Sequence, residues 1–199
     1  MCSSDLKDRG TILARTSAAL KSGKTLRVVA LGDSISNDMM NGLGHLLVER
    51  QYKGTTIQAI HANGPEKSCD NYQHDDVLQR LVIRHRPDLL TVGGVSHGNA
   101  ESIRTVIRKV RAACNNVETV YFDVRVDGDP EIGKRMELQS ELRRMASEDG
   151  FALCDLTTPF EECVRRSSHP RKWFIRDSSH VNDRGKQILA RLYASYFMI

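Results

Sequence analysis

Leu26-Arg27-Val28-Val29-Ala30-Leu31-Gly32-Asp33-Ser34-Ile35-Ser36-Asn37 is the stretch on which the fold turns. Its aliphatic and β-branched run from Leu26 to Leu31 reads as a strand buried on both faces. The run stops at Gly32, and an amphipathic helical pattern begins a few residues beyond Ser34. A serine at such a strand-to-helix turn stands at the carboxyl edge of a parallel sheet, where α/β proteins place ligands. The following helix aims its first N–H groups and the positive end of its dipole at that point, which suits a nucleophile whose attack creates an oxyanion. Taken alone, Gly32-Asp33-Ser34 reads equally well as a turn that caps the next helix, because all three residues are turn formers.

Outward from this strand, strands and helices alternate. Residues Asp5 to Leu20 suggest a helix ended by Ser22-Gly23-Lys24. On the other side, Met39, Met40, Leu43, Leu46 and Leu47 fall at helical spacing and read as core. Further strands are expected at Thr55–Ile60, Asp88–Val92, Thr119–Val124 and Phe151–Leu156. Between them lie a helix over Val77–Val82 ended by Pro87, a stripe of Ile103, Val106, Ile107 and Val110, and a helix marked by Met136, Leu142, Met145 and Ala146. A polar region with Trp173 and Phe174 leads to a closing helix carrying Ile188, Leu189, Leu192, Tyr193 and Tyr196. This alternation implies a five-stranded parallel sheet covered on both faces, a three-layer α/β/α sandwich. With no internal repeat, low-complexity segment or linker, the expectation is one domain over residues 1–199.

Composition narrows the function classes. At 40% hydrophobic and 27% charged residues, the chain reads as an ordinary soluble globular protein. No apolar run approaches bilayer-spanning length. The start Met1-Cys2-Ser3-Ser4-Asp5 lacks the basic and apolar regions of a signal peptide, so the sequence as it stands points to the cytoplasm, or to the periplasm or outside the cell if a leader was trimmed. The net charge of +4 is scattered over helical faces without interleaved aromatics, which argues against nucleic acid as a partner. Five cysteines without CxxC spacing describe neither a closed disulfide framework nor a zinc site, and the histidines have no ligand spacing either. Cys114 and Cys154 read as small buried hydrophobes. No metal or cofactor is expected.

Near the other end stands Arg176-Asp177-Ser178-Ser179-His180-Val181-Asn182-Asp183-Arg184-Gly185. Asp177 and His180, three residues apart in a polar loop ahead of the last helix, can lean into one site, the carboxylate orienting and charging the imidazole. A serine hydroxyl needs such a base to take its proton. Leu31-Gly32-Asp33-Ser34 and Asp177-Ser178-Ser179-His180, the latter followed by Asn182 and Gly185, together resemble the first and last blocks of the SGNH/GDSL hydrolase superfamily. The resemblance spans nearly the whole chain. It implies strand order 2-1-3-4-5, with Ser34 as nucleophile, His180 as base and Asp177 as acid.

In that family a glycine after the second strand donates its N–H to the oxyanion, and Gly64 stands where it is expected, with an Asn-Gly-Pro turn as the plain alternative. The family's Gly-x-Asn-Asp block after the third strand is altered here to Gly93-Gly94-Val95-Ser96-His97-Gly98-Asn99. With Gly94 as the motif glycine, Ser96 takes the asparagine position; with Gly93, Val95 does and offers no donor. Asn99 is either a further donor or the N-cap of the next helix. His97 reads either as a contact to a polar substrate or as a plainly exposed loop residue, and Asn37, with Asn63, is a polar group that the fold is expected to bring near the site. The resemblance implies a serine esterase that removes acyl groups, acetyl first among them, from a small-molecule or glycan ester. A lipid esterase or acyl-thioester hydrolase is the alternative within the class, and a non-catalytic binding domain on the same scaffold the alternative outside it. Oligomeric state is not legible.

Overall fold

A computed structural model describes residues 9–63, 68–94, 99–126 and 132–198. Helices α1 (Arg9–Ile12) and α2 (Ala14–Lys21) precede β1 (Thr25–Gly32). Then follow α3 (Ser34–Asn41), α4 (Gly44–Gln51), β2 (Thr56–Ala62), α5 (Cys69–Tyr72), α6 (Asp75–Leu81) and β3 (Leu89–Gly93). The second half comprises α7 (Ala100–Ala113), β4 (Glu118–Asp123), α8 (Ile132–Asp149), β5 (Ala152–Asp155), α9 (Thr157–Arg166) and α10 (Asp183–Tyr196).

The strands form one sheet in the order β2-β1-β3-β4-β5, every pair parallel, as the resemblance implied. The sequence-derived strand bounds agree to within one or two residues. Alternation explains why: Val28 and Ala30 enter one core layer with Phe122, Leu189 and Tyr193, while Val29 and Leu31 enter the other with Val92, Ile103 and Val106. A strand buried on both faces has no polar face to blur its ends. In the first layer the Phe122 ring meets Tyr193 and Tyr196 at centroid separations of 5.4 and 5.5 Å, pinning the closing helix to the middle of the sheet.

Several helical expectations need correction. The N-terminal helix comes in two pieces, parted at Leu13, and its first residues lie outside the described part. The helix after β1 begins at Ser34 itself, because Asp33 caps it. That helix also ends earlier, at Asn41, and Leu43 takes a left-handed φ of 59° before α4 begins. This break turns Leu43 and Leu46 outward to 49% and 47% exposure, while Met39 and Met40 stay buried. Met136, read as a core marker of α8, is 65% exposed. Within the region read as simply polar, α9 forms and anchors itself by the fully buried Phe160. Cys114 and Cys154 are buried as expected, and Cys163 is exposed.

β1 lies between β2 and β3, so chain connections run away from it on both sides and its carboxyl end borders the crevice where α/β folds hold ligands. Gly32 is level with Gly93, and Leu31 with Ala62. Hence the turns leaving β1, β2 and β3 emerge on one edge. Among the described residues no helix is long and apolar enough to cross a membrane.

Candidate active site

The Ser34 side of the site is built into the core. Gly32 ends β1 so close to its surroundings that a β-carbon there would lie 2.4 Å from the Gly93 carbonyl oxygen and 2.3 Å from Ser36 Cβ. Its own carbonyl accepts a 2.7 Å hydrogen bond from the buried Tyr72 hydroxyl. Asp33, 3% exposed, then leaves the strand in an extended conformation, and its Oδ1 accepts from the N–H groups of Ile35 (2.9 Å) and Ser36 (3.3 Å). This is an N-cap, so α3 starts at Ser34. The ladder and the cap take the neighbouring N–H groups of the first turn; among the described residues Ser34's own N–H has no such partner, and it carries the positive end of the helix. Gly94, with φ +126°, lies against the same carboxylate. The Ser34 side chain is exposed at the top of this assembly.

The opposing side is a loop held mainly by its own backbone. Ile175 and Val181 pair across it as an isolated antiparallel bridge, and the Arg176 N–H donates to the His180 carbonyl at 2.9 Å. Asn182 closes its base: its N–H donates to the Phe174 carbonyl, its Nδ2 to that of Trp173, and its Oδ1 caps α10 by accepting from Arg184 and Gly185. Within the loop, Asp177 Oδ1 accepts from the N–H groups of Ser179 and His180, both at 2.9 Å. These bonds, the Ser179 N–H foremost and the imidazole next, hold the Asp177 carboxyl below the usual carboxylate range.

The two sides meet. His180 Nε2 lies 2.8 Å from Ser34 Oγ across 146 residues of chain, and His180 Nδ1 lies 2.8 Å from Asp177 Oδ1 and 3.0 Å from Oδ2. An imidazole that donates its Nδ1–H to a carboxylate presents a bare Nε2, the tautomer able to accept the serine proton.

The other sequence-derived residues fare differently. Gly64, Ser96 and His97 lie outside the described residues. Asn99 is the N-cap of α7: its Oδ1 accepts from Glu101 and Ser102, and its Nδ2 donates to Asp70 Oδ1 at 3.3 Å. Asn37 is half-buried in the first turn of α3. Among the described residues no group of three or more His, Cys, Asp or Glu side chains is arranged to hold a metal ion.

Sequence reasoning passed over Arg176 and Asp38. An Arg176 terminal nitrogen, Nη1, donates to Asp38 Oδ1 at 3.0 Å and to the Val181 carbonyl at 3.1 Å. Its Nε lies 3.7 Å from Asp177 Oδ2. The partners are 138 residues apart, so no local pattern announces them.

A parallel three-layer α/β fold, with a serine, a histidine and an aspartate in one hydrogen-bonded chain at its carboxyl edge, defines the class. The fold is shared with carbohydrate esterases. A two-domain esterase (CEX) active on acetylated mannans superposes with a TM-score of 0.74 at 15% identity, covering 94% of this chain and 52% of that one, so the present chain spans about half its length. Axe2, an acetylxylan esterase from Geobacillus stearothermophilus, gives 0.62 at 13% identity over 87% of this chain and 94% of its own. A Clostridium thermocellum family 3 carbohydrate esterase gives 0.63 at 14% over 87% and 95%. Catalytic mutants of Axe2 replace a serine, an aspartate and a histidine, the last two numbered three apart. No family model matches the chain, and no curated protein matches it by sequence.

Proposed function

We propose that the protein is a serine esterase that removes acyl groups, acetyl first among them, from a hydroxylated substrate such as a glycan. The observation that carries this reading is the continuous chain Ser34 Oγ–His180 Nε2–His180 Nδ1–Asp177 at 2.8 Å per link. Ser34 attacks the ester carbonyl carbon while its proton passes to His180 Nε2. The carbonyl oxygen becomes an oxyanion beside the Ser34 N–H at the head of α3. As the intermediate collapses, the C–O bond to the sugar breaks and His180 returns the proton to the departing alkoxide. A water molecule then attacks the acyl-serine with the same base, releasing the carboxylic acid and restoring Ser34. Gly64 is proposed as a second oxyanion donor, from its place after β2. For a third donor, Ser96 stands ahead of Asn99, whose side-chain oxygen and nitrogen are both engaged elsewhere.

Acetylated glycans are favoured as substrates because the carbohydrate esterases above share this fold and, in Axe2, the same spacing of catalytic residues. The half-exposed site, with an Asp177 side chain 48% accessible, also suits a polar substrate presented from solvent. The test is labelling by a fluorophosphonate, together with acetate release from p-nitrophenyl acetate and from acetylated xylan and mannan. Wild type should be labelled and active. Ser34→Ala should lose the label and roughly 10³-fold or more in kcat, and His180→Ala nearly as much. A Ser34→Ala variant of near wild-type activity would remove the nucleophile assignment.

A further inference from the structure

The loop that carries Asp177 and His180 is exposed, and its internal hydrogen bonds set its shape without setting its distance from Ser34. We propose that Arg176 is a positioning residue whose guanidinium, seated on Asp38, fixes the Asp177–His180 loop against the helix that begins at Ser34. The proposal rests on the esterase reading above and deepens it.

Four contacts converge on this residue. Its N–H holds the His180 carbonyl at 2.9 Å, and its Nη1 reaches both the Val181 carbonyl at 3.1 Å and Asp38 Oδ1 at 3.0 Å. Its Nε stands 3.7 Å from Asp177 Oδ2, beyond a good hydrogen bond but within strong Coulomb range. Ser34 and Asp38 are four residues apart on α3 and therefore share a face. The clamp thus grips the nucleophile's helix one turn behind the nucleophile.

Burial separates this pair from an ordinary surface ion pair. The Asp38 side chain is 5% exposed, whereas that of Arg176 is 43% exposed. Among the described residues Asp38 Oδ2 is buried with no hydrogen-bond partner, so the carboxylate's compensation comes through Oδ1 and the guanidinium. A buried charge without a cation is costly, which gives the contact a tendency to stay closed that two solvated side chains lack.

Asp38 has a second effect. It draws the guanidinium toward α3, away from a bidentate grip on Asp177 that would compete with His180 for the carboxylate. Removing Arg176 and removing Asp38 should therefore move the base in opposite directions. Loss of the arginine takes a cation from beside the Asp177–His180 pair and favours the protonated imidazole. Loss of Asp38 releases that cation toward Asp177 and disfavours it. The other charges on the surrounding elements are unchanged in both variants: Asp33 is held in the α3 cap, Asp183 is paired with Lys186 at 3.1 Å, and Arg184 lies over the Trp173 ring at 4.3 Å.

The experiment measures kcat, KM and the pH–activity profile on p-nitrophenyl acetate, with fluorophosphonate labelling and near-ultraviolet circular dichroism, for wild type, Arg176→Met, Arg176→Lys, Asp38→Asn and the Asp38→Asn/Arg176→Met double variant. Arg176→Met is expected to lower kcat roughly 10- to 100-fold with KM within about twofold, and to move the acidic limb of the profile to higher pH. Arg176→Lys should recover most of the loss, since an ammonium still reaches Asp38. Asp38→Asn should move the acidic limb to lower pH. The double variant should be no worse than Arg176→Met, as expected when two residues act through one contact. If Arg176→Met does not fold, Arg176→Lys and Asp38→Asn decide by their profiles alone. A rise in KM at constant kcat would make Arg176 a substrate contact and overturn the proposal, as would variants with wild-type kcat and an unmoved profile. Wild type that takes the label while the clamp variants match it leaves the esterase reading intact and removes only the clamp; wild type that does not take the label removes both.

Discussion

Replacing Gly94 by alanine tests how Ser34 is held. A β-carbon at this position would lie 2.1 Å from Asp33 Oδ1, 2.3 Å from Cγ and 2.6 Å from Oδ2, and φ is +126°. The clash has two escapes. If the backbone after β3 moves, an alanine remains in a conformation that only glycine adopts easily, at a cost of about 1–3 kcal/mol. If Asp33 moves, the cap on Ile35 and Ser36 is lost, costing about 0.5–2 kcal/mol, and a carboxylate 3% exposed gives up bonds whose loss inside a protein costs about 1–3 kcal/mol more. Part of each escape is needed, so the expected loss is roughly 2–4 kcal/mol, a large share of the 5–15 kcal/mol typical of a domain. Urea unfolding at neutral pH measures it. Fluorophosphonate labelling of whatever folded fraction remains should also slow, because the first turn of α3 can no longer start squarely at Ser34. An unfolding free energy within about 0.5 kcal/mol of wild type would refute the reasoning, since Asp33 would then have room that the structure denies it.

Two further expectations follow from other charges. The Asp149 carboxylate, 12% exposed, accepts from Arg104 and Arg108, whose guanidinium hydrogen bonds, Arg104's first, hold its pKa at about 2. Because the folded value lies below the unfolded one, this stabilisation is present above about pH 4 and is lost as pH falls through about 2; Asp149→Asn should cost about 1–3 kcal/mol at neutral pH, with the gap to wild type closing in acid unfolding curves. Asp177→Asn should fold normally, since an amide oxygen can still accept from Ser179 and His180, yet lose roughly 10³- to 10⁴-fold in kcat, because its NH₂ turned to His180 Nδ1 fixes the wrong tautomer. Activity within tenfold of wild type would show that orientation, not charge and tautomer, is all that Asp177 supplies.

How far these features can be read from the chain alone depends on how local their causes are. The central strands were legible because β1, β3 and β4 are buried on both faces along most of their length, so hydrophobicity marks them directly, while β2 and β5, only partly buried, show through their β-branched and aliphatic residues. Ser34, Asp177 and His180 were legible because the turn and the three-residue spacing are themselves short motifs. The break after Asn41 was not, since Met39 to Leu47 keep helical spacing whether or not Leu43 turns left-handed between two helices. Charged flanks hide α9, where the fully buried Phe160, with the buried Thr157 at the helix start, does what a full apolar stripe does elsewhere. Glu118 shows the extreme case: at the start of β4, its two oxygens accept from the N–H groups of Arg15 and Thr16, so a residue about a hundred positions away caps α2. Arg176 and Asp38 belong with it, a tertiary pair whose meaning exists only once α3 and the loop are side by side.

The two halves of the site are stabilised by different physics, and that division bears on how the hydrogen-bonded chain of Ser34, His180 and Asp177 stays aligned. Ser34 is fixed by buried elements, the Gly32–Gly93 approach, the Tyr72 hydroxyl and the Asp33 cap, so moving it disturbs desolvated groups. His180 stands on a loop whose bonds are near-neighbour and largely solvent-accessible, each contributing about 0.5–1.5 kcal/mol net. Structure of that kind opens locally at a fraction of the global unfolding free energy. A loop free to open would spend time with Nε2 out of reach of Ser34, and a displacement of about 1 Å is enough to cost about 10²-fold in rate. Local bonds cannot prevent this, because they keep the loop's shape wherever the loop sits. A contact from the loop to a group that is itself costly to uncover can, and the Arg176–Asp38 pair has that form: one end exposed beside Asp177, the other on a carboxylate 5% exposed in the nucleophile's own helix. Alignment of base with nucleophile is thereby tied to the packing of α3 on the sheet rather than to the loop alone.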